Sequence, residues 1–177
     1  FKKVNELYKE KNFKSALIES EKFLVKYPES KHQKSMRDKV GKIYFLEKNY
    51  KKAEENYLIA IETGNIEAMT NLGVIYIMQK KYEEAEKLLL KAAEGNDSFA
   101  YNNLGLLYLK QRKYDKAKNF FLKSIEMGHI ELPAFNLGKL FLELKDYPNA
   151  KKYYKMAADL GNEEAQRIYR EMLQNGY

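Results

Sequence analysis

The sequence contains no cysteine, few helix-breaking residues and no long apolar segment. Without cysteine the chain has no disulfide framework, no thiolate nucleophile and no thiolate metal site. Only three prolines and nine glycines occur in 177 residues, which favours a mostly helical chain. The longest apolar runs, such as residues 73–78, are far shorter than the roughly 18 residues that a membrane span needs. We therefore expect no membrane span.

Groups suited to catalysis or metal binding are also scarce. His32 and His129 are the only histidines, and neither stands at metal-ligand spacing from another histidine or a carboxylate. Acidic pairs such as Glu54-Glu55 recur at predicted helix starts, where they complement the positive end of the helix dipole. No glycine-rich loop that could cradle a phosphate is present. We expect no catalytic residue, no metal site and no cofactor, and the chain is not predicted to be an enzyme.

Charged residues are abundant and mixed in sign. The chain has 32 Lys and Arg against 25 Asp and Glu, a formal net charge of +7. Lysine and glutamate are interspersed, as in residues 80–84, which is typical of a solvated outer face. A surface for an anionic partner is the alternative interpretation. Nucleic acid is not an expected partner, because stacking needs exposed aromatic rings and most aromatic residues here fall at predicted core positions.

A motif of 32 or 33 residues recurs along the chain. Its glycine follows Leu or Val and precedes an aromatic residue by three positions, and an alanine stands twelve positions after the glycine. The glycines are Gly41, Gly73, Gly105 and Gly138, and the alanines are Ala53, Ala85, Ala117 and Ala150. Repetition at this period predicts a stacked array, because a single unit is too small to bury its own apolar face.

The residue pattern of each repeat predicts two amphipathic helices joined by a short polar turn. Ala68, Leu72 and Ile75 follow the helical period, and Ala85 and Leu88 begin a second apolar stripe after the turn. Glycine inside a helix costs about 0.8–1 kcal/mol relative to alanine, so its recurrence needs a physical reason. We expect that the missing Cβ lets the two helices of a pair pack backbone to backbone, with the recurring alanine opposite.

These residues resemble the tetratricopeptide repeat, and the sequences of residues 91–96 and 155–162 are similar to its Sel1-like variety. The period is slightly shorter than the usual length of about 34 residues. The resemblance implies an all-α, right-handed α-solenoid of about five antiparallel helix pairs plus a C-terminal helix. We expect a single array over residues 1–177. Its units are predicted at 1–29, 30–65, 66–97, 98–130 and 131–162, with a capping helix at 163–175. The alternative is that this last helix opens another repeat.

The N-terminal unit gives a hint about the compartment. Residues 23–30 resemble repeats of bacterial outer-membrane assembly lipoproteins and cell-division coordinators. The chain begins at Phe1 rather than Met, so we expect that the first part of the precursor is missing. The cytoplasm and the bacterial cell envelope, including the periplasm, both remain open.

An asparagine precedes the Leu-Gly pair in three repeats, as Asn71, Asn103 and Asn136. Helix geometry turns this residue about 100° away from the buried leucine, toward the surface that first helices line in a stacked array. In some tetratricopeptide proteins an asparagine ladder at this place grips the backbone of an extended peptide. The alternative is that each amide bonds a neighbouring helix and holds the stack together.

The same geometry brings an apolar lining to the asparagines. The predicted lining residues are Thr70, Val74, Ile77 and Met78, then Phe99, Asn102, Leu106, Leu109 and Lys110, then Leu132, Phe135, Lys139 and Leu142. The resemblance implies a non-catalytic protein–protein interaction module that binds an extended peptide or a helix of a partner in its concave groove. A carboxylate clamp is less well supported, since only Lys42, Lys110 and Lys139 are candidates.

Two other functions stay open. The chain could be a structural scaffold or self-associating spacer in a bacterial envelope assembly. It could also be the interaction arm of a larger enzyme whose catalytic domain lies outside residues 1–177.

Overall fold

The computed structural model describes residues 1–176, which form eleven α-helices and no β-strand. The helices are α1 (Lys2–Lys9), α2 (Phe13–Lys26), α3 (Gln33–Leu46), α4 (Tyr50–Glu62), α5 (Ile66–Met78), α6 (Tyr82–Glu94), α7 (Ser98–Lys110), α8 (Tyr114–Glu126), α9 (Glu131–Glu143), α10 (Tyr147–Asp159) and α11 (Glu163–Gln174). The predicted all-α class, with five helix pairs followed by a single helix, is confirmed. Tyr177, the last residue of the predicted array, lies outside the described residues.

Three-residue turns join the two helices of every pair. These turns are residues 10–12, 47–49, 79–81, 111–113 and 144–146. In the third of them, Lys80 N–H bonds Ile77 O at 3.1 Å and Lys81 N–H bonds Tyr76 O at 2.9 Å. The middle residue of each turn has a positive φ, and it is Lys or Arg in all five (Lys11, Lys48, Lys80, Arg112 and Lys145). Such short connections force consecutive helices to run antiparallel.

The chain divides into two compact units, Phe1–Lys91 and a second unit that begins at Ala92. The division lies within α6. In the first unit α1 packs on α2, α3 on α4, and α4 on α5. Its core contains Val4, Leu24, Met36, Val40, Tyr57, Leu72 and Ile75, each no more than 6% exposed.

The recurring glycines are buried, but each makes room for a side chain rather than for a helix backbone. A Cβ placed on Gly41 would lie 2.6 Å from Cε1 of the Tyr57 ring, closer than real Cβ contacts come. The pairs are Gly41–Tyr57, Gly73–Leu89, Gly105–Phe121 and Gly138–Tyr154. The predicted backbone-to-backbone contact is therefore wrong in this detail. The space is filled by the large side chain four residues after the recurring alanine.

In the second unit α7 packs on α8, α9 on α10, and α10 on α11. Its main core cluster includes Ala134, Tyr154, Ala157, Ala165 and Met172. α11 buries Ala165 and Met172, while Gln166, Arg167, Arg170, Glu171 and Gln174 are exposed on it. The helix predicted at 163–175 is thus present, with one apolar face and one polar face.

Among residues 1–176 no helix is both long enough and apolar enough to span a membrane.

Candidate functional site

The two histidines lie in aromatic contacts. The His32 ring stacks on Phe1 with the centroids 4.2 Å apart, and the His129 ring lies 3.9 Å from that of Phe99. Within residues 1–176 no group of three or more His, Cys, Asp or Glu side chains is placed to hold a metal ion.

The first unit contains a pocket of about 240 Å³ that we name the α3–α5 pocket. It is lined by Tyr8 of α1, Lys42, Phe45 and Leu46 of α3, Tyr57 of α4, and Asn71 and Val74 of α5. Leu46 is 54% exposed, while Tyr57 is 1% exposed and forms the deep wall. The structure thus places two predicted lining residues, Asn71 and Val74, in one pocket with three aromatic rings.

A chain of ionic and hydrogen bonds lies beside this pocket. Asp38, which is 3% exposed, has Oδ2 at 2.7 Å from Lys42 Nζ. Lys42 Nζ also lies 2.6 Å from Glu67 Oε1, and Asn71 Nδ2 donates to Asp38 Oδ1 at 3.0 Å. Burial opposes the charge of Lys42, but the carboxylates of Asp38 and Glu67 outweigh it and raise the pKa of Lys42. The network therefore ties α3 to α5 around a charged ammonium group.

The second unit repeats one part of this arrangement. Asn136 Nδ2 on α9 donates to Asn102 Oδ1 on α7 at 2.9 Å. The two acceptors, Asp38 and Asn102, occupy the same repeat position, three residues before the glycine. The two donors, Asn71 and Asn136, also share a position, two residues before the glycine. Asn71 and Asn136 therefore hold neighbouring first helices together, as in the alternative interpretation above. Each amide keeps one N–H and its oxygen for further bonds.

Asn103 differs from the other two asparagines. It is half-buried on α7, and no described residue of the second unit gives its side chain a hydrogen bond.

The predicted lining residues fall into three groups by exposure. Thr70, Asn102 and Phe135 are buried, at 4%, 7% and 9% exposure. Val74, Ile77, Leu106 and Leu109 are half-buried. The exposed members are Met78, Phe99, Lys110, Leu132, Lys139 and Leu142. Each of the buried residues stands three positions before the glycine of its repeat, as Asp38 does. At this position Asp38 and Asn102 accept a hydrogen bond from the asparagine on the first helix of the next repeat. Lys139 places its ammonium 5.0 Å from the centre of the Phe135 ring.

A second pocket, of about 200 Å³, lies in the second unit. Phe99, His129, Ile130 and Leu132 provide most of its apolar wall, and Asn102 reaches it from α7. The sequence predicted Phe99, Asn102 and Leu132 among these residues as part of the groove.

Tyr8, Phe45, Leu46 and Tyr57 were not predicted as site residues. The signal for two of them was in the repeat itself. Tyr8 stands eight residues before Ala16, and Phe45 stands eight before Ala53, as the predicted Ile77 stands before Ala85. Extending the lining pattern to the first two pairs would have included Tyr8 and Phe45.

Comparison with family models agrees with this repeat architecture. Two models described as tetratricopeptide repeats match residues 65–128 and 102–165. A model described as a Sel1 repeat matches residues 40–65. No curated protein matches the sequence significantly.

Several solved structures have a similar fold. The PilF structure from Pseudomonas aeruginosa has a TM-score of 0.80 at 23% identity, covering 98% of this chain and 85% of that one. A thermophilic tetratricopeptide protein of Thermus thermophilus has a TM-score of 0.80 at 16% identity, covering 98% and 96%. PilW, described as a widely conserved type IV pilus biogenesis factor, has a TM-score of 0.80 at 18% identity, covering 98% and 90%. At these identities the likeness shows the fold alone, and that fold is the predicted solenoid class.

Proposed function

Because the chain belongs to the tetratricopeptide-repeat proteins and carries Sel1-like repeats, we propose that it is a non-catalytic protein-interaction module whose α3–α5 pocket binds a peptide segment of a partner protein. The observation that carries this proposal is the combination of an exposed apolar rim, a deep aromatic wall and unpaired polar groups in one pocket. Ligand sites in proteins have this composition, with apolar walls and a few placed polar groups.

The apolar rim supports a peptide as the ligand. Leu46 is 54% exposed at the end of α3 and Val74 is half-buried on α5, and both line the pocket. Exposed apolar side chains around a concave surface lose contact with water when a partner covers them, which is the main source of binding free energy. A peptide that presents apolar side chains is therefore the expected ligand class.

The size of the pocket limits the affinity. A pocket of about 240 Å³ accommodates one or two side chains rather than a whole domain. Each hydrogen bond to its polar groups contributes about 0.5–1.5 kcal/mol net. We expect a short peptide to bind with a Kd on the order of micromolar, with most of the free energy coming from apolar contacts.

The second unit has a candidate face of its own in this proposal. Asn103, Leu106 and Leu109 on α7 are half-buried, and Lys139 on α9 is exposed. This face has apolar side chains, an amide and a cation, and it would suit a second peptide segment.

A matched pair of variants tests the first unit. Peptides that bind the intact chain would be selected from a random displayed library, and their affinities measured by fluorescence anisotropy. Leu46→Glu places a charge on the pocket rim, so we expect binding to weaken at least about tenfold. Leu58→Glu is the control, because Leu58 is 43% exposed on α4 and does not line the pocket. Equal binding by both variants would exclude this pocket as the peptide site.

An envelope scaffold is the second candidate function. Its support is the structural likeness to PilW, described as a type IV pilus biogenesis factor, together with the sequence hint in residues 23–30. Sedimentation velocity over a hundredfold concentration range separates the two candidates. A self-associating scaffold would shift to larger species as concentration rises, whereas a peptide-binding module would sediment as a monomer throughout.

A further inference from the structure

Two tyrosine hydroxyls of the α3–α5 pocket have no hydrogen-bond partner among residues 1–176. Tyr57 is 1% exposed, and its hydroxyl forms no hydrogen bond with any other described residue. The hydroxyl of Tyr8, which lines the same pocket, also has no such bond among residues 1–176. Burial raises the pKa of both phenols, so both are protonated at neutral pH. Both side chains line the open space of the pocket, where a hydroxyl can bond a ligand.

The other polar groups of the pocket also keep unused hydrogens. The ammonium of Lys42 has three N–H donors, of which Asp38 and Glu67 take two. The amide of Asn71 gives one of its two N–H groups to Asp38 and keeps its oxygen as an acceptor. The pocket therefore offers four donors and one strong acceptor. A ligand group that both accepts and donates hydrogen bonds can use donors and the acceptor of this set together.

The local charges favour an uncharged ligand. Asp38 and Glu67 carry two negative charges, and Lys42 carries one positive charge between them. Lys39 brings a second positive charge, with its ammonium 5.5 Å from the centre of the Tyr8 ring. These four charges sum to zero. An anionic group would meet two nearby carboxylates, and a cationic group would meet the ammonium of Lys42 and lack an unpaired carboxylate partner.

We infer that the α3–α5 pocket recognises a neutral carboxamide, the side chain of glutamine or asparagine, in a partner peptide with apolar neighbours. The carboxamide oxygen accepts hydrogen bonds from Tyr57 and Lys42, and its amino group donates to the oxygen of Asn71. The neighbouring apolar side chains contact Leu46 and Val74. This inference rests on the proposed peptide-binding function and names the chemistry that the pocket selects.

Three peptides that differ in one residue test the selectivity. The probes are acetyl-Leu-Gln-Leu-N-methylamide and its Glu and Lys counterparts, which carry no primary carboxamide outside the tested side chain, titrated into the ¹⁵N-labelled chain and followed by amide chemical shifts at neutral pH. Glutamine and glutamate have nearly the same shape, so the comparison isolates charge and donor pattern. We expect the glutamine peptide to bind about five- to tenfold more tightly than either counterpart. Equal or tighter binding of the Glu or Lys peptide would overturn the inference.

The repeat supplies a matched control for the hydroxyl. Tyr57→Phe removes the hydroxyl in the pocket, and Tyr154→Phe makes the same change at the equivalent repeat position of the second unit. Tyr154 is also 1% exposed. We expect Tyr57→Phe to weaken binding of the glutamine peptide about three- to tenfold and to leave binding of the glutamate peptide unchanged. Tyr154→Phe should change the affinity of neither peptide. If Tyr57→Phe does not fold, the comparison of the Gln, Glu and Lys peptides on the parent chain decides the inference by itself.

The outcomes separate this inference from the proposed function. If library-selected peptides bind in a Leu46-dependent manner while the Gln, Glu and Lys peptides bind equally, the carboxamide inference fails and the peptide-binding function stands. If Leu46→Glu affects no selected peptide, the pocket is not the peptide site and both fail. Unchanged binding of the glutamine peptide to folded Tyr57→Phe would also overturn the role given to that hydroxyl.

Discussion

At the scale of single residues, the fold depends on a glycine that faces a large side chain in the same pair. Phe121 and Tyr154 are at most 1% exposed, and each lies where the Cβ of a non-glycine residue would stand. The lower helix propensity of glycine is thus offset by burying a large side chain, which contributes on the order of 2 kcal/mol. The sequence predicted that the glycine was needed. It could not show whether a backbone or a side chain fills the space, because that depends on rotamers.

We expect Gly138→Ala to destabilise the chain by about 1–3 kcal/mol, even though alanine is the better helix former. A Cβ at this position would lie 2.8 Å from Cδ1 of Tyr154, and the buried ring has little room to move. Urea denaturation monitored by circular dichroism measures the change. In a Tyr154→Leu background the same substitution should lower the free energy of unfolding by a smaller amount, because the smaller, flexible leucine side chain can move away from the new Cβ. An unchanged or raised stability of Gly138→Ala would contradict the packing argument.

The asparagines show where residue-level prediction stops. Their recurrence in register predicted a shared role for Asn71 and Asn136, and the structure gives both a hydrogen bond to the preceding first helix. The sequence left two roles open because an amide can bond either a neighbouring helix or a peptide with the same atoms. Only the position of the acceptor, Asp38 or Asn102, distinguishes the two.

At the scale of the helices, side-chain caps determine where many of the elements begin. Asn12, Asn49, Asn65 and Asn162 each accept a hydrogen bond from the backbone N–H three residues later. α8 begins differently, with Lys113 at its N-cap and no side-chain bond to the backbone. A lysine there also places a positive charge at the positive end of the helix dipole, which is unfavourable.

We expect Lys113→Asn to stabilise the chain by about 0.5–1 kcal/mol, because an asparagine N-cap satisfies a free backbone N–H and removes the unfavourable charge. Asn162→Ala provides the opposite case, since the Asn162 side chain accepts from Ala165 N–H at 2.8 Å. This variant should lose about 1 kcal/mol. Thermal unfolding of the two variants beside the parent chain measures both effects. A lower melting temperature for Lys113→Asn would contradict the capping argument.

The helix bounds were largely predictable from the register of glycine and alanine. The final helix, expected at 163–175, is Glu163–Gln174. The first two helices were harder to align, because the alanines Ala16 and Ala53 are 37 residues apart (16 to 53) rather than 32. For that reason the pocket residue Tyr8 was missed, although it follows the same repeat rule as Ile77.

At the scale of the whole molecule, buried tyrosines connect stability to alkaline pH. Burial raises the pKa of Tyr154 to about 12, and burial together with a hydrogen bond to Glu54 raises that of Tyr76 to about 12. Burial also raises the pKa of Tyr57. In the unfolded chain these phenols ionise near pH 10. Between pH 10 and 12 the folded chain therefore binds more protons than the unfolded chain, and the free energy of unfolding falls as pH rises.

We expect full stability below pH 10 and a progressive loss between pH 10 and 12. The slope contributed by one tyrosine is at most about 1.4 kcal/mol per pH unit. Urea denaturation at several pH values across this range measures it, and Tyr154→Phe should flatten the slope by one tyrosine's share. The same slope for parent and variant would show that Tyr154 does not keep its proton in the folded state.

The α3–α5 pocket itself is a whole-molecule feature that the sequence only partly contained. Its residues come from α1, α3, α4 and α5, and their meeting depends on how successive pairs pack in the first unit. The repeat predicted Asn71 and Val74 because they lie on one helix. It could not predict Tyr57, whose position in the repeat also belongs to the buried core.

The most direct test of the central claim, that this pocket is the peptide-binding site, is a chemical shift map. A library-selected peptide is titrated into the ¹⁵N-labelled chain, and the shift of every backbone amide is followed to saturation. We expect the largest shifts at Phe45, Leu46 and Val74, with little change at Leu58 on the other face of α4. Saturable shifts confined to residues outside the pocket, with Leu46 and Val74 unmoved, would contradict the claim.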